Sequence, residues 1–154
     1  MDHIDVSVVL VTRGPRLLTV FNPSWGSFTL PMTKRRVWSD PSLPPANREE
    51  SWKAAAARAV AEALGHSISL ASLEQVAEIP EYRQGDRDGV WKRYHFQIFR
   101  LALREEAEAK SGVTAEWLTV DELLDPDRAP ISATARDLVP KALTAAAESG
   151  TTLV

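Results

Sequence analysis

Between Glu50 and Leu64 the chain carries a helical signal that neither neighbouring stretch shares. Alanine fills positions 54–57, 59, 61 and 63, and alanine has the best intrinsic helix propensity because it loses no side-chain entropy on folding. Gly65 follows, suited to the left-handed residue that closes a helix. Glu49 and Glu50 stand at its start, where the helix dipole favours negative charge. On both sides the pattern changes to a period of two. Val6, Val8 and Leu10 alternate with Ser7, Val9 and Val11, as in a strand buried on at least one face. A turn at Arg13-Gly14-Pro15 leads into a return strand, Arg16 to Phe21, and Ser27 to Leu30 is a third, short strand ending at Pro31. A lone helix set among strands excludes a helical bundle and a regular βαβ repeat. It predicts an α/β (α+β) domain whose mixed sheet has helices on two faces.

The rest of the chain fits that frame. Thr33 to Trp38 is basic and extended, and Ser39 to Asn47 holds three prolines and reads as a loop. Strands are expected over Ser72 to Tyr82, Val90 to Leu103 and Ala115 to Val120. A polar turn is expected over Gln84 to Gly89 and an acidic loop over Glu105 to Gly112. A short helix begins near Asp121. A terminal helix spans Ser132 to Glu148, where Pro140 is expected to kink or split it. Residues 1–149 form one domain on this reading, and 150–154 are a loose tail.

Composition narrows the function classes. The chain has no cysteine, which removes disulfides, thiolate metal sites and thiol nucleophiles. The formal net charge of -3 supplies no global positive field, so general nucleic-acid binding is not expected. No apolar run approaches the roughly 20 residues that span a bilayer. The first residues lack the pattern of a signal peptide. The expected location is cytoplasmic, with no membrane association.

One motif carries more. Leu30-Pro31-Met32-Thr33-Lys34, then Glu50, then seven residues later Arg58-Ala59-Val60-Ala61-Glu62-Ala63-Leu64-Gly65, resembles the Nudix box. Glu116 to Leu123 resembles that family's late strand-to-helix segment, and Ile131 to Arg136 a C-terminal helix start seen in many members. The resemblance implies a Nudix-type α/β/α sandwich. It also implies a magnesium-dependent pyrophosphohydrolase acting on a nucleoside diphosphate linked to another moiety, with Arg58 and Gly65 as structural parts of the box.

The departures are chemical. The family's box glutamates would fall at 59, 62 and 63, positions that share one helical face and gather carboxylates for magnesium. Here 59 and 63 are alanine and only Glu62 remains. Met32 and Thr33 replace two turn glycines, and the loop before Glu50 is longer than the family's by roughly ten residues. Glu62 is then either a surviving metal ligand for Mg2+ (or Mn2+), bound weakly or not at all, or an exposed glutamate paired with Arg58. Glu50 either assists catalysis or steadies the helix start and box loop. Lys34 and Arg36 either hold phosphate groups or, with Arg35, protect a solvated strand edge. Trp25, Trp38, Trp52 and Trp91 are candidates for stacking on a base. His95 reads as a packed or edge histidine, and Glu105, Glu106 and Glu108 as a solvated loop.

The resulting expectation is a protein that binds a nucleotide-like or other diphosphate-containing small molecule with hydrolysis weakened or lost. Two alternatives stand beside it. One is an active hydrolase that recruits Glu49, Glu50 or the Glu105–Glu108 segment. The other is a protein-interaction or regulatory module, including a homodimer, on the same scaffold.

Overall fold

The computed structural model describes residues 2–84, 88–104 and 107–153. Seven strands form one sheet: β1 (Asp2–Arg13), β2 (Arg16–Asn22), β3 (Ser27–Thr29), β4 (Met32–Lys34), β5 (Glu74–Gln84), β6 (Trp91–Ala102) and β7 (Ala115–Thr119). Among the described residues three α-helices accompany them: α1 (Trp52–Leu64), α2 (Val120–Leu124) and α3 (Ala133–Glu148). The strand order is β3-β2-β1-β6-β5, with β4 added to β1 and β7 added to β2. The sheet is mixed. β6 runs parallel to β1 from the Asp2–Lys92 pair to the Thr12–Ala102 pair, and the other pairings are antiparallel.

Alternation along β1 divides the core in two. Val6, Val8 and Leu10 face α3 and pack with Phe96, Ile98, Leu138 and Val139. Val9 and Val11 face α1 and pack with Val60, Leu64, Phe99 and Leu101. Opposite faces of one strand thus bury two separate apolar layers, which is the α/β/α sandwich expected.

Several local expectations shift. α1 begins at Trp52 rather than Glu50, because Ser51 is the N-cap and its hydroxyl accepts the Ala54 N–H at 3.1 Å. Glu50 therefore precedes the helix instead of capping its dipole. Gly65 closes α1 at φ 79°, and its N–H donates to the Ala61 carbonyl. α3 is one helix through Pro140, so of the expected kink or split the split does not occur. Leu138, Val139 and Ala142 are fully buried around the proline and hold the helix in register. Thr119 and Glu122 form a reciprocal capping box at α2. The C-terminal residues make contacts of their own: the Thr151 N–H donates to the Ala146 carbonyl, Arg100 donates to the Thr152 carbonyl, and Leu153 is buried. Among the described residues no helix is long and apolar enough to cross a membrane.

Candidate functional site

α1 carries its box residues across β1 and β4, so they meet the end of the Leu30–Lys34 turn. Arg58 is the hub of this meeting. Its Nε and Nη2 donate to the two carboxylate oxygens of Glu50 at 3.1 and 2.8 Å. Its Nη1 donates to the Thr33 hydroxyl at 3.0 Å, and its Nη2 also donates to the Lys34 carbonyl at 2.9 Å. Glu50 is 9% exposed and has a third donor, the Arg36 N–H, at 3.1 Å. The Arg58 guanidinium beside it holds its carboxyl below the usual carboxylate range, against burial that pushes the other way. Arg58 is held correspondingly upward, chiefly by its hydrogen bond to Glu50. The planar fork of arginine suits this task, since it can meet a carboxylate, a hydroxyl and a carbonyl at once.

Glu62 stands apart from that latch. Its side chain is 62% exposed, and it approaches Arg58 Nη1 at 3.5 Å. The two box positions beside it, Ala59 and Ala63, are 4% and 5% exposed. Their methyl groups offer no oxygen, and Ala63 belongs to the apolar layer with Leu73 and Phe99. Glu49 pairs with Arg35 at 3.3 Å. Glu108 is exposed, while Glu105 and Glu106 lie outside the described residues. Among the described residues, no group of three or more acidic or histidine side chains could hold a metal ion. The donor set along α1 does not fit a magnesium cluster, which needs several hard oxygens converging on one point.

The basic run at the end of β4 divides in role. Arg35 is neutralised, donating to Asp5 at 2.6 Å and to Glu49, and its guanidinium stacks 4.7 Å from the Trp52 ring. Lys34 and Arg36 are exposed and, among the described residues, form no ion pair within 4.0 Å. Lys34 pairs across the strands with Val6, whose side chain faces α3. Cross-strand partners share a face, so Lys34 projects from the α3 side of the sheet. Met32 and Thr33 sit in β4 without strain, because among the described residues only glycines take positive φ. The turn no longer needs the glycines it lacks.

On that α3 side a cleft of about 940 Å³ opens between three segments distant in sequence. Ser24 to Ser27 form one lip, the β5 and β6 ends supply Arg83, Lys92 and Tyr94, and Pro130 to Thr134 lead into α3. Trp25 stands half exposed on the rim. Arg83 is fixed by Glu81 at 2.8 Å, Thr134 at 2.9 Å and Asp137 at 3.2 Å, and it lies over Tyr94 and Phe96. Ser132 caps α3, accepting from the Ala135 N–H and donating to the Thr29 hydroxyl at 2.9 Å. The arrangement offers flat rings, hydroxyls, a lysine and a helix N-terminus facing one volume. These are features that suit an aromatic ligand bearing negative charge. Of the cleft residues, sequence reasoning had singled out Trp25 alone as a possible ligand contact. Arg83, Lys92 and Tyr94 belong to no motif and become neighbours only when β5 and β6 pair.

The architecture is the Nudix fold, seen in solved structures that cover nearly the whole chain. The Nudix domain of Shewanella oneidensis NrtR, complexed with ADP ribose, superposes with a TM-score of 0.62 at 15% identity, covering 98% of this chain and 90% of that one. The C-terminal domain of mouse MUTYH, in complex with human PCNA, gives 0.62 at 17% identity over 98% and 92%. A MutT Nudix hydrolase from Burkholderia pseudomallei gives 0.60 at 14% identity over 89% and 95%. No family model and no curated protein matches the sequence.

Proposed function

We propose that the protein binds a nucleotide-like or other diphosphate-containing small molecule in the α3-side cleft and hydrolyses it weakly or not at all. One observation carries the second half of this reading. The α1 face where a Nudix box would gather three carboxylates presents two buried methyl groups and one exposed glutamate already beside Arg58. Glu50, the remaining acid nearby, has both oxygens occupied by Arg58. Among the described residues no cluster of acidic or histidine side chains could hold the metal ion that would activate water and draw charge from a departing phosphate.

The first half rests on the cleft. Trp25 and Tyr94 offer ring faces for a base. Lys92 and, from the same side of the sheet, Lys34 offer charge for phosphate oxygens. One fold neighbour is complexed with ADP ribose, which supports a ligand of that chemistry. A cysteine-free chain is suited to a reducing compartment such as the cytoplasm.

The test has two arms. ADP ribose and ADP at one hundred times Kd should stabilise the native state by about 2.7 kcal/mol, read as a rise in Tm. The same compounds with magnesium or manganese should show no turnover above background. Robust turnover that disappears in Glu62→Gln would overturn the binder reading and favour the active hydrolase. No thermal response to any phosphorylated ligand would favour the interaction module, a use of this fold that the MUTYH domain in complex with PCNA illustrates.

A further inference from the structure

The geometry points to a second surface, on the sheet face opposite the cleft, where Tyr82, Trp91 and Arg93 form a stacking platform for a single-stranded oligonucleotide. Register places these residues together. Tyr82 pairs with Arg93 and Gln84 with Trp91 across the antiparallel β5–β6 ribbon, so all four share one face. Arg93 lies 5.8 Å from the Tyr82 ring. His95, two residues further along β6, packs edge-on against Trp52 on α1 at 5.0 Å, which identifies this face as the α1 side.

α1 does not reach the platform. It lies over β1 and β4 and touches β6 only slightly. Trp91 and Tyr82 are therefore 53% and 58% exposed. Large aromatic side chains gain most from burial, so two half-exposed rings on adjacent strands leave a substantial apolar area in water. A guanidinium stands beside them. Arg93 is exposed and has no ion-pair partner among the described residues, and His3 is its neighbour on β1. Of the acids on this face, Asp5 pairs with Arg35, and Glu78, four residues along β5 from Tyr82, accepts from the Gln97 amide.

Ring faces interleaved with a guanidinium that has no ion-pair partner among the described residues match one partner chemistry best. A single strand presents unstacked bases to the rings and phosphates to the cation. A duplex keeps its base faces stacked on each other and hides them. An acidic peptide would satisfy Arg93 and leave the rings unused. A second copy in a two-fold pair would bring like charges together, since the same patch faces itself. The overall charge of -3 still argues against a broad electrostatic binder, so the interaction is local, modest in affinity and salt-sensitive.

The test is fluorescence anisotropy of labelled ten-nucleotide deoxythymidine and uridine strands at low salt. Saturable binding with Kd on the order of 10 µM is expected, and weaker binding to a duplex of equal length. Tyr82→Ala and Trp91→Ala should each weaken it about tenfold. Arg93→Gln should flatten the salt dependence by about 0.7 in slope. The exposed substitution Arg93→Glu provides an independent variant should either alanine change disturb the fold. All four variants should keep their ADP ribose response, and Trp25→Ala on the cleft rim should leave oligonucleotide binding unchanged. Absence of binding at low salt, or binding indifferent to these substitutions, overturns the inference. So does a dimer that dissociates in Trp91→Ala, which would assign the face to self-association.

Discussion

Arg58 and Glu62 stand four residues apart on α1, yet they differ in what they hold. Arg58 closes a latch of four acceptors across α1, β4 and the box loop, while Glu62 touches that latch from outside. Glu50→Gln should lower stability by about 2 kcal/mol, because it removes the anion facing a largely buried guanidinium. Glu62→Gln should cost under about 0.5 kcal/mol, the scale of an exposed helical ion pair. Urea unfolding of both variants at neutral pH separates the two values. The latch also predicts a pH dependence with a definite sign. Glu50 is held below the ordinary carboxylate range in the native protein, mainly by Arg58. Its contribution is complete above the unfolded glutamate value, begins to shrink below about pH 4.3, and is lost as pH falls through the lowered native value. The stability difference between the native protein and Glu50→Gln should close over that acid range. The missing carboxylates at 59 and 63 were legible in the sequence, since residue identity needs no fold. The engagement of Glu50 was not, because Arg58 lies eight residues away and the intervening chain turns back before it can reach.

At the scale of elements, caps decide where helices begin and end. Ser51→Ala should cost about 1 kcal/mol by leaving the Ala54 N–H without its acceptor. Gly65→Ala should cost more than the usual 1 kcal/mol or so for glycine in a left-handed cap. A Cβ there would also stand 3.1 Å from the Lys110 side chain, which packs over the α1 terminus. Thermal melts of the two variants test both statements. The helix in the middle of the chain was readable from its alanines and its terminal glycine, and its start was misplaced by two residues. Acidic residues signal a helix start only on average, whereas a capping hydroxyl settles it by a specific bond. α3 is not split at Pro140 for a related reason. Proline removes one helical hydrogen bond, but α3 is anchored on both sides of it. Arg136 donates to the carbonyls of Leu123, Asp125 and Arg128, and Ala142 and Ala146 are buried beyond. Local propensity yields when packing on both flanks is strong.

At the scale of the molecule, the C-terminal residues join the same core as the sheet. Truncation after Gly150 removes Leu153 from the α3 layer along with the contacts of Thr151 and Thr152. It should lower stability by about 2 kcal/mol and Tm by about 4–8 °C, measured by calorimetry. The mixed sheet and its two helical faces were foreseeable from the order of periodic segments. Each such segment must bury an apolar stripe, and few layered arrangements allow that. The parallel pairing of β1 with β6 was not foreseeable, nor were the cleft and the exposed aromatic face that the β5–β6 pairing assembles. Amino-acid identity dictates which acids, cations and rings exist and which stretches alternate, because those properties are local. Tertiary structure alone decided that Glu50 is bound, that Lys34 projects from the α3 side of the sheet, and that Tyr82 and Trp91 share one exposed face. The first depends on the box loop folding back onto α1, and the other two on strand pairings between residues many positions apart, whose register is selected by the burial of the whole core.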